Sequence, residues 1–193
     1  LKYIVIDPGH GGKDPGCVSR SGVAEKDITL AVSRKLVEFL REKTEYEAFL
    51  TRTDDRFVSL RQRVEFANQE IFPPNQSILL SLHCNSFKDR RIHGMESFKF
   101  DLDATDELAA ELVERENAQE EVDKFDFMII SLRKRGNEKY TRQVAQILQE
   151  LLVSQLGVKN RNLSASEKTG VRGAPFYILA WTKMPSILLE LGF

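Results

Sequence analysis

Histidine is scarce in this chain: there are three in 193 residues, alongside two cysteines, one tryptophan and six prolines. Two cysteines are too few for the disulfide framework of a small secreted domain, and they leave the redox compartment undecided. No apolar run approaches the roughly 20 residues of a membrane-crossing helix, so no membrane span is expected. An excess of charge of one sign is missing too. Lysine and arginine number 28 against 29 acidic residues, and the net charge of −1 gives no global pull toward nucleic acid or anionic lipid. Basic residues interleaved with aromatics are also lacking, so no nucleic-acid partner is expected.

What is present is α/β alternation without internal repeats or low-complexity segments. Tyr3-Ile4-Val5-Ile6 reads as a buried strand closed by Asp7-Pro8-Gly9. Ile28, Ala31, Val32, Leu36, Phe39 and Leu40 recur at helical spacing and predict a core-facing helix. Tyr46 to Leu50 reads as a strand. Ser59 is placed to cap a helix whose Leu60, Val64 and Ala67 form its buried stripe. Further strands are expected at Ile78–Leu82, Met95–Phe100, Phe176–Ala180 and Ser186–Leu191, with helices over Asp103–Ala118 and Tyr140–Leu156. The pattern predicts one α/β domain over 1–193, a three-layer sandwich with a mostly parallel, mixed sheet of about six strands. Both ends stop hard against strands, so trimming from a longer precursor is expected.

The chemistry gathers at strand ends. His10 follows the first strand in Asp7-Pro8-Gly9-His10-Gly11-Gly12, and His83 closes Ile78-Leu79-Leu80-Ser81-Leu82. Ligands of open parallel sheets bind beyond the carboxyl ends of strands, so two imidazoles there suggest a metal site. A lone histidine at a strand end is more often a hydrogen-bonded structural residue. A phosphate cradle would use a G-x-G-x-x-G loop or a lysine-bearing one, and neither is present. Glu190 lies inside the apolar run Ile187-Leu188-Leu189-Glu190-Leu191, where a carboxylate is paired, protonated or functional. Glu25 stands just before a helix, where a carboxylate serves as a cap.

From Asp101 to Asp126 there are eleven acidic residues against two basic ones, which read as solvated helix faces rather than a docking surface.

Asp7-Pro8-Gly9-His10-Gly11-Gly12 with Asp14 and Gly16, Glu25-Lys26-Asp27-Ile28-Thr29-Leu30, and Thr51-Arg52 with Asp55 follow one another along the chain. Leu60 with Arg63, Ala67-Asn68, Ser81-Leu82-His83-Cys84-Asn85-Ser86 and Pro185 through Phe193 complete the set. In that order these motifs resemble the zinc-dependent N-acetylmuramoyl-L-alanine amidases of the type-3 family. The likeness implies that His10, Glu25 and His83 hold one Zn²⁺ and that Glu190 is the catalytic carboxylate. Two imidazoles and one carboxylate leave a fourth position for water, as catalytic zinc requires. Asp7 and Asn85 are expected to orient the histidines or meet substrate, and Arg172 stands where the family commonly has lysine.

The resemblance implies a peptidoglycan hydrolase that cleaves the amide between N-acetylmuramic acid and L-alanine in cell-wall remodelling or cell division. Such a substrate implies export, to the periplasm or another cell-wall-facing location. The alternatives are another zinc amidohydrolase and a non-catalytic cell-wall or phosphate-binding module. Some relatives cover the zinc with a helical insertion until a partner protein displaces it. Here Phe125, Phe127, Met128 and Ile129 read as core residues, and what is left over between Asp101 and Tyr140, about Gln119 to Lys124 with Arg133 to Glu138, is too short for such a lid. The expectation is an open site whose basal activity needs no activator, against the alternative that Glu120 or Glu121 folds back onto the metal. Cys17 and Cys84 fall near candidate ligands, and their pairing is left open.

Overall fold

The computed structural model describes residues 1–86, 93–120, 123–161 and 171–192. Glu121, Gly170 and Phe193 lie outside them. Among the described residues, six strands form one sheet in the order β2-β1-β3-β6-β4-β5. They are β1 (Tyr3–Pro8), β2 (Glu47–Leu50), β3 (Ser77–His83), β4 (Glu96–Phe100), β5 (Arg172–Ala174) and β6 (Ser186–Glu190). β2, β1, β3 and β6 run parallel, and β4 is antiparallel to β6. The carboxyl ends of β1, β3 and β6 therefore share one rim, and the reversed β4 brings its amino end there.

Strand alternation sorts the core into two layers. Ile4, Ile6, Leu82, Ile187 and Leu189 meet Val37 and Leu40 of α1 (Glu25–Lys43) and Ala145 of α4 (Lys124–Leu156). Val5, Leu79, Phe98 and Leu188 face α2 (Leu60–Ala67), α3 (Glu107–Glu116) and α5 (Tyr177–Trp181). Ser59 caps α2 in a capping box with Gln62, as its position predicts.

Three expectations need correction. α1 buries Glu25, Thr29, Ser33, Val37 and Leu40, while Ile28, Val32 and Phe39 face solvent. The helix is rotated because Glu25 and Thr29 are drawn to the sheet rim, where the Thr29 hydroxyl donates to the Gly9 carbonyl at 2.9 Å. Phe176–Ala180 is not a strand: α5 begins at Tyr177, and the strand role passes to Arg172–Ala174. A short apolar run fits either structure. Here Asn117 decides, accepting from the Tyr177 N–H at 2.8 Å and so satisfying a free donor of the helix start. The third concerns α4, which starts far ahead of Tyr140 and leaves Met128 and Ile129 exposed rather than in the core.

Candidate metal centre

β1 ends in a turn that holds His10 at φ 59°, the left-handed region that most residues avoid at a cost of about 1–2 kcal/mol. The turn is pinned from behind. Arg63 donates to the Pro8 and His10 carbonyls, both at 2.6 Å, and Arg52 donates to Pro8 at 3.0 Å and Gly9 at 2.9 Å. Two glycines make room at the front. A Cβ on Gly9 would lie 2.6 Å from the His83 ring, and one on Gly16 would lie 2.6 Å from both Glu25 Oε2 and the His10 ring.

The three side chains converge. One oxygen, Glu25 Oε1, stands 3.2 Å from His10 Nε2 and 3.2 Å from His83 Nδ1. One ligand atom from each of the three lies within 4.8 Å of the others. Both nitrogens are buried and complete no hydrogen bond, with carboxylate oxygens as their neighbours. Their lone pairs are thus left for something else. His10 is oriented by Asp14, whose Oδ2 lies 3.0 Å from Nδ1. A proton on Nδ1 leaves Nε2 free to bind. Glu25 is clamped by backbone N–H groups, from Cys17 to Oε2 at 2.9 Å and from Cys84 to Oε1 at 2.8 Å. Burial opposes its charge, but the neighbouring imidazoles hold its carboxyl well below the usual range.

Glu190 is the register partner of His83 on the adjacent parallel strand, so the two side chains share a face. It is fully buried, and neither carboxylate oxygen has a hydrogen-bond partner. Burial, followed by the charges of Glu25 and Glu116, pushes its carboxyl well above the ordinary value.

Residues 4–193 match the sequence profile of the N-acetylmuramoyl-L-alanine amidase family. The chain belongs to that family. It is similar to the N-acetylmuramoyl-L-alanine amidase AmiA of Escherichia coli, 28% identical, over 100% of this chain and 65% of AmiA. It is likewise similar to AmiC of Escherichia coli, 27% identical, over 98% of this chain and 45% of AmiC. The chain thus spans about half to two thirds of these relatives. The fold matches the catalytic domain of CwlV, an amidase of Bacillus (Paenibacillus) polymyxa, with a TM-score of 0.69 and 26% identity. That match covers 100% of this chain and 80% of the other.

Other parts of the amidase-family site depart from expectation. Glu116, on the last turn of α3, reaches over the metal centre and puts Oε2 3.4 Å from His10 Nε2 and 3.3 Å from His83 Nδ1, at the edge of a cavity of about 250 Å³. Glu120 instead faces Arg61 at 3.9 Å. The leftover-residue count missed this because the helix expected to cover the sheet is itself the cap. Asp7 bonds neither imidazole; Arg63, Thr51 and Ser81 take it up. Arg172 is buried and paired with Glu96 and Asp106. Asn85 accepts from Arg115 of α3. Cys17 and Cys84 are free thiols. Asp14 was missed, although its place four residues after His10 in a glycine turn was the available signal.

Proposed function

We propose that this domain is a zinc-dependent peptidoglycan hydrolase that cleaves the amide between the lactyl group of N-acetylmuramic acid and L-alanine. One observation carries the reading: two buried imidazole nitrogens without partners converge with a clamped carboxylate, and an unpaired carboxylate stands beside them. The donor set suits zinc, with His10, Glu25 and His83 as its holders. Zinc bound there would supply a Lewis acid that polarises the scissile carbonyl and acidifies water.

The chain's own groups supply the rest. Asp14 holds the His10 ring, and the Cys17 and Cys84 N–H groups hold Glu25 in place. Glu190 accepts a proton from the attacking water and passes it to the departing amine of L-alanine. Burial favours its protonated form, and the charge of bound zinc would offset that and leave the carboxylate able to accept a proton.

Glu116 and its neighbours close the site at rest. Asn117 bonds the Pro175 carbonyl at 2.9 Å, and Gln119 reaches Asp14 at 3.1 Å. Turnover then requires the last turn of α3 to lift, and a protein partner that displaces it would activate the enzyme. Peptidoglycan as substrate places the domain outside the inner membrane, and none of the described helices is long and apolar enough to cross one.

The test is digestion of purified peptidoglycan with the zinc-loaded domain, followed by mass spectrometry. The expected products are stem peptides with a free L-alanine amine and glycan strands with intact lactyl groups. Cleavage elsewhere in the stem or in the glycan would refute the assignment.

A further inference from the structure

An asparagine amide carries two donors and two lone pairs, the same groups that a peptide bond presents in reverse. The chain uses that match twice. Asn68 donates to the Trp181 carbonyl at 3.0 Å and accepts from the Lys183 N–H at 2.7 Å. Asn117 donates to the Pro175 carbonyl and accepts from the Tyr177 N–H, at 2.9 and 2.8 Å. Each grips a stretch of backbone from both sides.

Asn85 is built alike but only half engaged. Its Oδ1 accepts from the Ser86 N–H at 2.7 Å and from Arg115 Nη2 at 3.0 Å. Its Nδ2 is buried and has no partner. The residue is 3% exposed, so bulk solvent does not reach it. A buried unmet donor costs about 1–3 kcal/mol, which a purely structural asparagine would avoid.

Position says what is missing. Asn85 lies two residues past His83 on the segment leaving β3, and Arg115, which covers it, stands within electrostatic reach of Glu190. Arg115 precedes Glu116 on the same turn of α3. When that turn lifts from the metal centre, the acceptor of Asn85 is uncovered in the same movement.

Resting on the amidase reading, we infer that Asn85 grips a backbone peptide group of the stem peptide, and that Arg115 holds its place while the site is closed. The Nδ2 donor meets a carbonyl of the stem, and the lone pair vacated by Arg115 meets an N–H. This makes Asn85 a substrate-binding residue that favours muramyl peptides over muramyl amides without further peptide bonds.

The test uses the zinc-loaded Arg115→Ala/Glu116→Ala protein as parent and compares muramyl pentapeptide with muramyl-L-alanine, which ends before the first stem-peptide bond. Adding Asn85→Ala should raise KM for the pentapeptide about tenfold. It should leave KM for muramyl-L-alanine and zinc content unchanged, and it should not lower the thermal midpoint. Asn85→Ser replaces it if the alanine variant does not fold. An equal rise in KM on both substrates, or lost zinc, would assign Asn85 to supporting His83 and overturn the inference. An unchanged pentapeptide KM in an active parent overturns this inference alone. A parent inactive on both substrates overturns the amidase reading and the inference with it.

Discussion

Two buried polar clusters sit side by side at the rim of the sheet, and they are wired in opposite ways. In the first, Asp7 accepts from Arg63 at 2.7 Å, Thr51 at 2.5 Å and Ser81 at 2.9 Å. Arg52 and Arg63 spend their remaining donors on backbone carbonyls of the β1 turn. In the second, His10 Nε2, His83 Nδ1 and both oxygens of Glu190 have no hydrogen-bond partner. Burial without partners is costly, so a chain tolerates it only where something other than stability is served. The paired cluster is the platform that keeps His10 in its left-handed turn. The unpaired cluster is the candidate zinc site it carries.

That contrast is broken first by attacking the platform. Arg63→Ala leaves the Asp7 carboxylate buried and short of its cation, which should cost about 3–5 kcal/mol of unfolding free energy in a denaturant titration. A loss below about 1 kcal/mol would mean that the platform is not what it appears from its bonds.

Removing charge from the working cluster should do the reverse. Glu190→Gln should keep its zinc and lose turnover by roughly 10²-fold or more. In the metal-free protein the same change should raise the thermal midpoint at neutral pH. The sign follows from the raised carboxyl: the folded state keeps the proton that the unfolded state releases as pH rises through about 4.5. Stability linked to Glu190 is therefore present below that pH and is lost above it. The advantage of the glutamine variant should grow between pH 4 and pH 8, and an advantage independent of pH would contradict the account.

Glu116 sharpens the comparison from above. Glu116→Ala removes the carboxylate nearest the two imidazole nitrogens after Glu25, so it should increase peptidoglycan hydrolysis severalfold without a partner protein. Unchanged or reduced activity would remove α3 from the account of regulation.

The smallest effect concerns the two thiols on the Glu25 clamp. Burial pushes Cys17 up to about 11 and Cys84 up to about 12, the latter with help from the Glu25 charge. About one Cys17 thiol in a thousand and one Cys84 thiol in ten thousand would be ionised at pH 8, so iodoacetamide should label neither at an appreciable rate until the protein is unfolded. Rapid labelling of the native protein would contradict that environment.

Legibility in the sequence followed the range of the forces involved. His10, His83 and Glu190 could be read from their positions at the ends of apolar runs, because strand ends are local and parallel sheets align them. Glu25 looked like a helix cap and became a candidate ligand only through the family resemblance, since nothing local distinguishes a first-turn carboxylate that bonds solvent from one drawn into the rim. The rotation of α1 was misjudged for the same reason: its apolar stripe gave way to a polar attachment at Glu25 and Thr29. Glu116 was one of eleven acidic residues in a stretch that reads as solvated surface. What singles it out is the path of α3 across the sheet, a matter of long-range packing. α5 was decided by Asn117, 60 residues away.

The central claim is that the unpaired cluster is a zinc centre held by His10, Glu25 and His83, with Glu190 beside it as the base. Competition titration with a chromophoric zinc chelator tests it most directly. The account predicts one zinc per chain in the unaltered protein and in Glu190→Gln, weakened binding in Glu25→Gln, and none retained by His10→Ala or His83→Ala. Stoichiometric zinc in both histidine variants would contradict the site. Zinc lost from Glu190→Gln but kept by Glu25→Gln would exchange the roles of ligand and base.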